Sequence, residues 1–172
     1  IPDAPPELKQ DAKLVRVGYM IRGGNYSDAS GALAEVESEA KDGLKDRAVM
    51  YRAALNVLPA KDTNDPDPLD PSLKKKVNPT AAVTAIEKAI AASKDPVARA
   101  VGYGVLGELQ LAHRQFRAAT WSFCWVDTVY TQDADERLFA VIRLAKVFAV
   151  TGDKEGEKSR VDQYKERLPK VR

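Results

Sequence analysis

Three times along this chain the same apolar spacing recurs: a small residue, a large one four positions on, and another apolar one three further. The triplets are Ala29–Leu33–Val36, Ala82–Ile86–Ala89 and Ala119–Phe123–Val126. Steps of four and three set all members of a triplet on one stripe of an α-helix, which must bury that stripe against a neighbour. From Ala82 to Ala119 is 37 residues, and from Ala29 to Ala82 is 53. A repeat of one period, lengthened once by an insertion, accounts for both intervals.

The rest of the chain fits around these stripes. Helical spacing of Leu8, Ala12, Leu14, Val15, Tyr19 and Met20 predicts a helix over 7–22, closed by Gly23–Gly24–Asn25. The first triplet belongs to a helix over 27–41, ended by Asp42–Gly43, and Ala48, Tyr51, Ala54, Leu55 and Leu58 stripe a third over 45–58. Residues 59–79 carry five prolines and almost no apolar periodicity, which predicts a long loop. Thr80 is placed to N-cap a helix over 81–93, and Pro96 to sit in the first turn of the next, 97–113. Helices over 115–130, 136–150 and 154–168 complete the set, with a turn at Thr151–Gly152–Asp153 between the last two. The final helix is mostly polar, as the end of a stacked array needs to be.

The stretch of residues 101–126 is the most informative. Tyr103, Leu106 and Gly107 mark one helix face, a short break follows at His113–Gln115, and Ala119, Phe123 and Val126 mark the next. A large residue, then Leu-Gly, then small–large–small resembles a tetratricopeptide repeat, and the stretch from Leu14 to Val36 shares the pattern. The resemblance implies an all-α fold: a right-handed α-solenoid of about four helical hairpins, one domain over 1–172, with the Pro/Asp-rich loop 59–79 inserted in the second hairpin. It also implies a concave groove lined by the first helix of each hairpin and holding a peptide or helix of another protein. In that register the lining includes Leu14, Gly18, Ile21 and Arg22, then Gly104, Glu108 and Leu111, then Ile142, Lys146 and Ala149. The Lys, Asn and Arg set by which some members of the family grip an acidic chain end has no match, since Gly104 and Glu108 occupy the third hairpin.

A second candidate surface comes from the residues alone. Trp121 and Trp125 are four apart on one helix, off the stripe that Ala119, Phe123 and Val126 turn inward. Two indoles facing sideways or outward need a cover, either from this chain (the 59–79 loop or a neighbouring helix) or from a partner, where Trp is enriched at hot spots.

Chemistry finds little support. His113 is the lone histidine and lies at a turn, and Cys124 is the lone cysteine, within an apolar run. One of each makes neither a catalytic constellation nor a closed metal site. Asp62, Asn64, Asp65, Asp67 and Asp70 suggest a calcium loop, but Pro66, Asp67 and Leu73 fall where an EF-hand needs a ligand, Gly and Glu. Asn25–Tyr26–Ser27 matches the glycosylation triplet, a common chance occurrence. With 27 Lys+Arg against 25 Asp+Glu, the net charge of +2 argues against a dedicated nucleic-acid binder. No run approaches the ~20 apolar residues of a membrane span. Ile1 in place of Met points to a segment removed upstream, which leaves cytoplasmic and exported locations both open.

The expectation is therefore a noncatalytic scaffold or adaptor that binds another protein, with no catalytic residue, metal or cofactor and with self-association as a further option. The alternatives are a structural subunit held in a larger complex, or the repeat region of a larger multidomain enzyme.

Overall fold

Helix periodicity sets the architecture of the computed structural model, which describes residues 4–57, 79–152, 154–155 and 158–170. Among those residues the chain is all-α apart from a two-residue ladder. Its helices are α1 (Pro6–Arg22), α2 (Tyr26–Glu37), α3 (Asp42–Val57), α4 (Pro79–Ala92), α5 (Pro96–Ala112), α6 (Phe116–Thr128), α7 (Ala134–Thr151) and α8 (Arg160–Arg167). The loop expected over 59–79 falls outside the described residues except for Pro79, as do the acidic side chains considered for calcium.

The short connections explain themselves. After α1, the Gly24 N–H donates to the Ile21 carbonyl and the Asn25 N–H to the Met20 carbonyl, with Gly24 at φ 82°. After α5 the same pair of bonds recurs, Arg114 to Leu111 and Gln115 to Gln110, with Arg114 at φ 59°. This double bond satisfies the last carbonyls of a helix and needs one left-handed residue. Gly152, at φ 64°, follows α7. A three-residue turn folds α2 back along α1, so that Gln10 bonds Glu39 while Lys13 meets Glu35.

The first and third triplets pack inward, and so does Ile86 of the second. Ala29, Leu33 and Val36 are buried, as are Ile86, Ala119, Phe123 and Val126. One apolar cluster runs from α1 to α5 and another from α5 to α8, and Tyr103 touches both. Besides neighbouring helices, α1 packs on α3, α3 on α5 and α5 on α7. The odd-numbered helices thus form an inner row.

Several boundaries differ from the sequence reading. Asp42–Gly43 opens α3 rather than closing α2: Asp42 turns the chain at φ 47°, and its carboxylate lies in the first turn, where the helix dipole favours it. Gly43 fits there because it lies against the Asp95 side chain. Helix α4 already begins at Pro79, so Thr80 is a first-turn residue and not the cap. The last helix is half its expected length. Lys154–Glu155 pair antiparallel with Lys158–Ser159, and α8 starts only at Arg160, where the Ser159 hydroxyl accepts from the Asp162 N–H.

Candidate interaction surfaces

On the inner row, the register takes half of the expected groove lining into the core. Leu14 and Leu111 are fully buried and Ile21 nearly so, and they hold helices together instead of facing outward. Gly18 is buried too: a Cβ there would come 2.5 Å from the Tyr51 hydroxyl of α3. Gly104 is buried in α5, where a Cβ would lie 3.3 Å from Glu136 Oε2. Of the ten lining residues read from the sequence, only Ile142, Lys146 and Ala149 of α7 are exposed.

Arg22 and Glu108 are spent on the protein itself. Arg22 at the end of α1 donates to Glu136 Oε1 at the start of α7, tying the first helix to the seventh. Tyr51 Oη lies 3.5 Å from the same oxygen. Burial pulls the Arg22 guanidinium down, but Glu136 and then Tyr51 hold it above its ordinary value. Burial, and next the Glu136 charge, push the Tyr51 hydroxyl well up. Arg143 donates to Glu108 Oε2 at 2.9 Å, with its Nε 2.6 Å from Oε1. Glu108 is nonetheless raised by burial, which outweighs the Arg143 charge. Between the two arginines lies the Phe139 ring, 4.4 Å from Arg22 and 5.0 Å from Arg143. The middle of the inner row is thus a closed network of ion pairs and cation–π contacts.

On the outer face of α6 the two tryptophans part company. Trp121 is 65% exposed, while the back of its helix is anchored by fully buried Ala119, Phe123 and Val126. Trp125 is 42% exposed and belongs to a ring cluster, 5.7 Å from Tyr103 and 6.2 Å from Tyr130. A neighbouring helix thus covers part of Trp125, and no described residue covers Trp121 to a comparable degree.

No family model, curated protein or solved structure matches this chain. Geometry therefore carries the functional reading.

Sequence reasoning missed the groove beside Trp121. Because α8 begins late, a cleft of about 860 Å³ stays open between α6, the end of α7 and α8. Arg117, Trp121 and Cys124 line it from α6, Phe148 from α7, and Arg160 and Tyr164 from α8. Arg160 lies over the Phe148 ring at 5.4 Å and Arg167 over Tyr164 at 4.8 Å. Burial raises the Cys124 thiol, with the Tyr164 hydroxyl bond working against it, and burial pushes Tyr164 itself to about 12. The signal available in the sequence was the lack of apolar residues over 154–159, ahead of the start of α8 at Arg160.

Among the described residues no group of three or more His, Cys, Asp or Glu is placed to hold a metal ion, and no helix is long and apolar enough to cross a membrane.

Proposed function

We propose that this chain is a right-handed α-solenoid of tetratricopeptide-like hairpins that works as a noncatalytic scaffold, binding another protein through the outer face of α6 centred on Trp121. The observation that carries this is a tryptophan 65% exposed on a helix whose opposite face is fully packed. Indole on water is unfavourable, and a rigid backing lets a partner bury it at little ordering cost. The inner-row packing of α1, α3, α5 and α7, with even-numbered helices between them in sequence, supports the solenoid. On the inner row itself, Ile142, Lys146 and Ala149 are what remains for a partner.

The test is capture from extract of the source cells, with a photo-crosslinking residue placed at position 118, beside Trp121, in one sample and at 146 in another. Expected is a protein crosslinked from 118, held by wild type and lost by Trp121→Ala, whose circular dichroism matches wild type. Crosslinking from 146 alone would move the site to the inner row. No protein held above background from either position would remove the scaffold reading.

A further inference from the structure

Helix α5 is a wall shared by two packed bodies. The first apolar cluster takes Val101, Val105, Leu106 and Leu109 from α5 and the rest from the chain before it. The second takes Ala100 and Leu111 from α5 and the rest from the chain after it, with Tyr103 in both. Gly102 lets the first body close on α5, since a Cβ there would lie 2.5 Å from Ile90 Cγ1, and Gly107 lets the second close through Phe123. Among the described residues, α1 and α7 share no apolar cluster. What joins them across the inner row is polar. Arg22 reaches from the last turn of α1 to Glu136 in the first turn of α7, and lies 4.4 Å from the Phe139 ring one turn on. Tyr51 of α3 places its Oη 3.5 Å from the same Glu136 oxygen. Both charges are well covered, with the Arg22 side chain 15% exposed and that of Glu136 5%. The other carboxylate oxygen, Glu136 Oε2, is buried with no hydrogen-bond partner among the described residues.

We infer that Arg22 and Glu136 form a latch across a hinge at α5: made, the pair holds the two bodies together over the inner row, and parted, it lets them open there. Apolar packing is non-directional and holds each body over its whole contact area, whereas an ion pair acts at one point. A carboxylate that keeps one oxygen unpaired depends on its remaining partner to stay buried. Taking Arg22 away leaves the Glu136 charge without its main partner, and water reaches it only if α1 and α7 separate. The population then moves toward the open arrangement, because that is the one in which the charge is hydrated. Movement of two packed bodies about a shared element is an ordinary hinge, with the change absorbed at a few positions. The outer face of α6 lies within the second body, so Trp121 is presented in both states.

The test measures distances between spin labels by double electron–electron resonance, in the whole chain carrying Cys124→Ser. One pair is Ala12→Cys on α1 with Ala149→Cys on α7, both at exposed positions. The control pair is Ala12→Cys with Lys88→Cys on α4, exposed and within the first body. Expected is one narrow 12–149 distance while Arg22 and Glu136 are in place. Arg22→Gln should shift it to a longer and broader distribution and leave the 12–88 distance as it was. A 12–149 distance that is unchanged or shorter in folded Arg22→Gln would overturn the latch and leave the pair a static brace. A 12–88 distance that shifts as well would also overturn it, since α1 would then be loosening on its own with no hinge at α5. Where circular dichroism shows Arg22→Gln to be unfolded, Glu136→Gln, which keeps the shape of the side chain, decides by the same two distances.

Discussion

Gly107→Ala tests the packing logic most sharply, because helix propensity and packing pull it in opposite directions. In an open helix, Gly to Ala stabilises by about 1 kcal/mol. Gly107 is not open: a Cβ there would lie 2.6 Å from both Cε1 and Cζ of Phe123. That ring, on α6, is fully buried in the cluster that α6 shares with α5 and α7. Overpacking of this kind costs about 1–3 kcal/mol, and a rigid ring puts it at the upper end. The net loss is then about 2 kcal/mol, a fall in Tm of roughly 4–8 °C for a domain of this size. Gly31→Ala is the internal control, since Gly31 lies in α2 with nothing within 4 Å of its would-be Cβ. It should gain up to about 1 kcal/mol. Thermal and urea denaturation followed by circular dichroism measure both. Phe123→Leu should recover part of the Gly107→Ala loss, so the pair should not add. If Gly107→Ala raised Tm, or if both variants shifted alike, the close approach of α5 and α6 would be wrong, and with it the physical reason for the Leu-Gly pair.

Arg114→Gly should stabilise by up to about 1 kcal/mol, read as a higher urea midpoint, because Arg114 holds a left-handed φ that Gly24 and Gly152 adopt freely. Trp121→Ala should change stability by less than about 0.5 kcal/mol, whereas Trp125→Ala should cost about 2 kcal/mol through lost stacking on Tyr103 and Tyr130. Alkylation of Cys124 at mildly alkaline pH should be slower than for a free thiol, with the pH midpoint of its rate displaced upward, because burial lowers the thiolate fraction. Arg22→Ala should destabilise by about 3–5 kcal/mol, since Glu136 would keep a buried charge without its main partner; equal stability by denaturation would show the pair to be dispensable.

The fold was legible where local patterns decide it. The triplets ending at Val36 and Val126 are buried as their spacing required, and Gly24 and Gly152 sit in left-handed turns. What was not legible depends on contacts between distant residues. Arg22 and Glu136 lie 114 positions apart, and nothing local to either announces the pair. Leu14, Ile21 and Leu111 were read as groove lining from family register, but all three are buried in the apolar clusters between the helices. The two tryptophans share a helix face, yet only Trp125 has Tyr103 and Tyr130 within stacking range, a difference set by where α5 passes. Asp42–Gly43 shows the limit of turn chemistry: the same pair can end one helix or begin the next, and here it begins α3, with Gly43 against the Asp95 side chain.

These placements bear on which face a partner would use. A peptide entering the middle of the inner row would have to displace Arg22 from Glu136 or Arg143 from Glu108, all four largely buried. Removing one partner from such a pair costs about 3–5 kcal/mol, which is comparable to the whole free energy of a millimolar complex. The outer face of α6 asks for no such exchange. Trp121 is already exposed, its helix is already rigid, and Arg117 has no described ion pair to give up. For equal contact chemistry, a partner on the outer face would therefore be held more tightly by roughly the energy of one broken pair. The inner network also ties α1 to α7, and α6 packs on α5 and α7 of the same row. The charged residues that close one face stiffen the frame that presents the other.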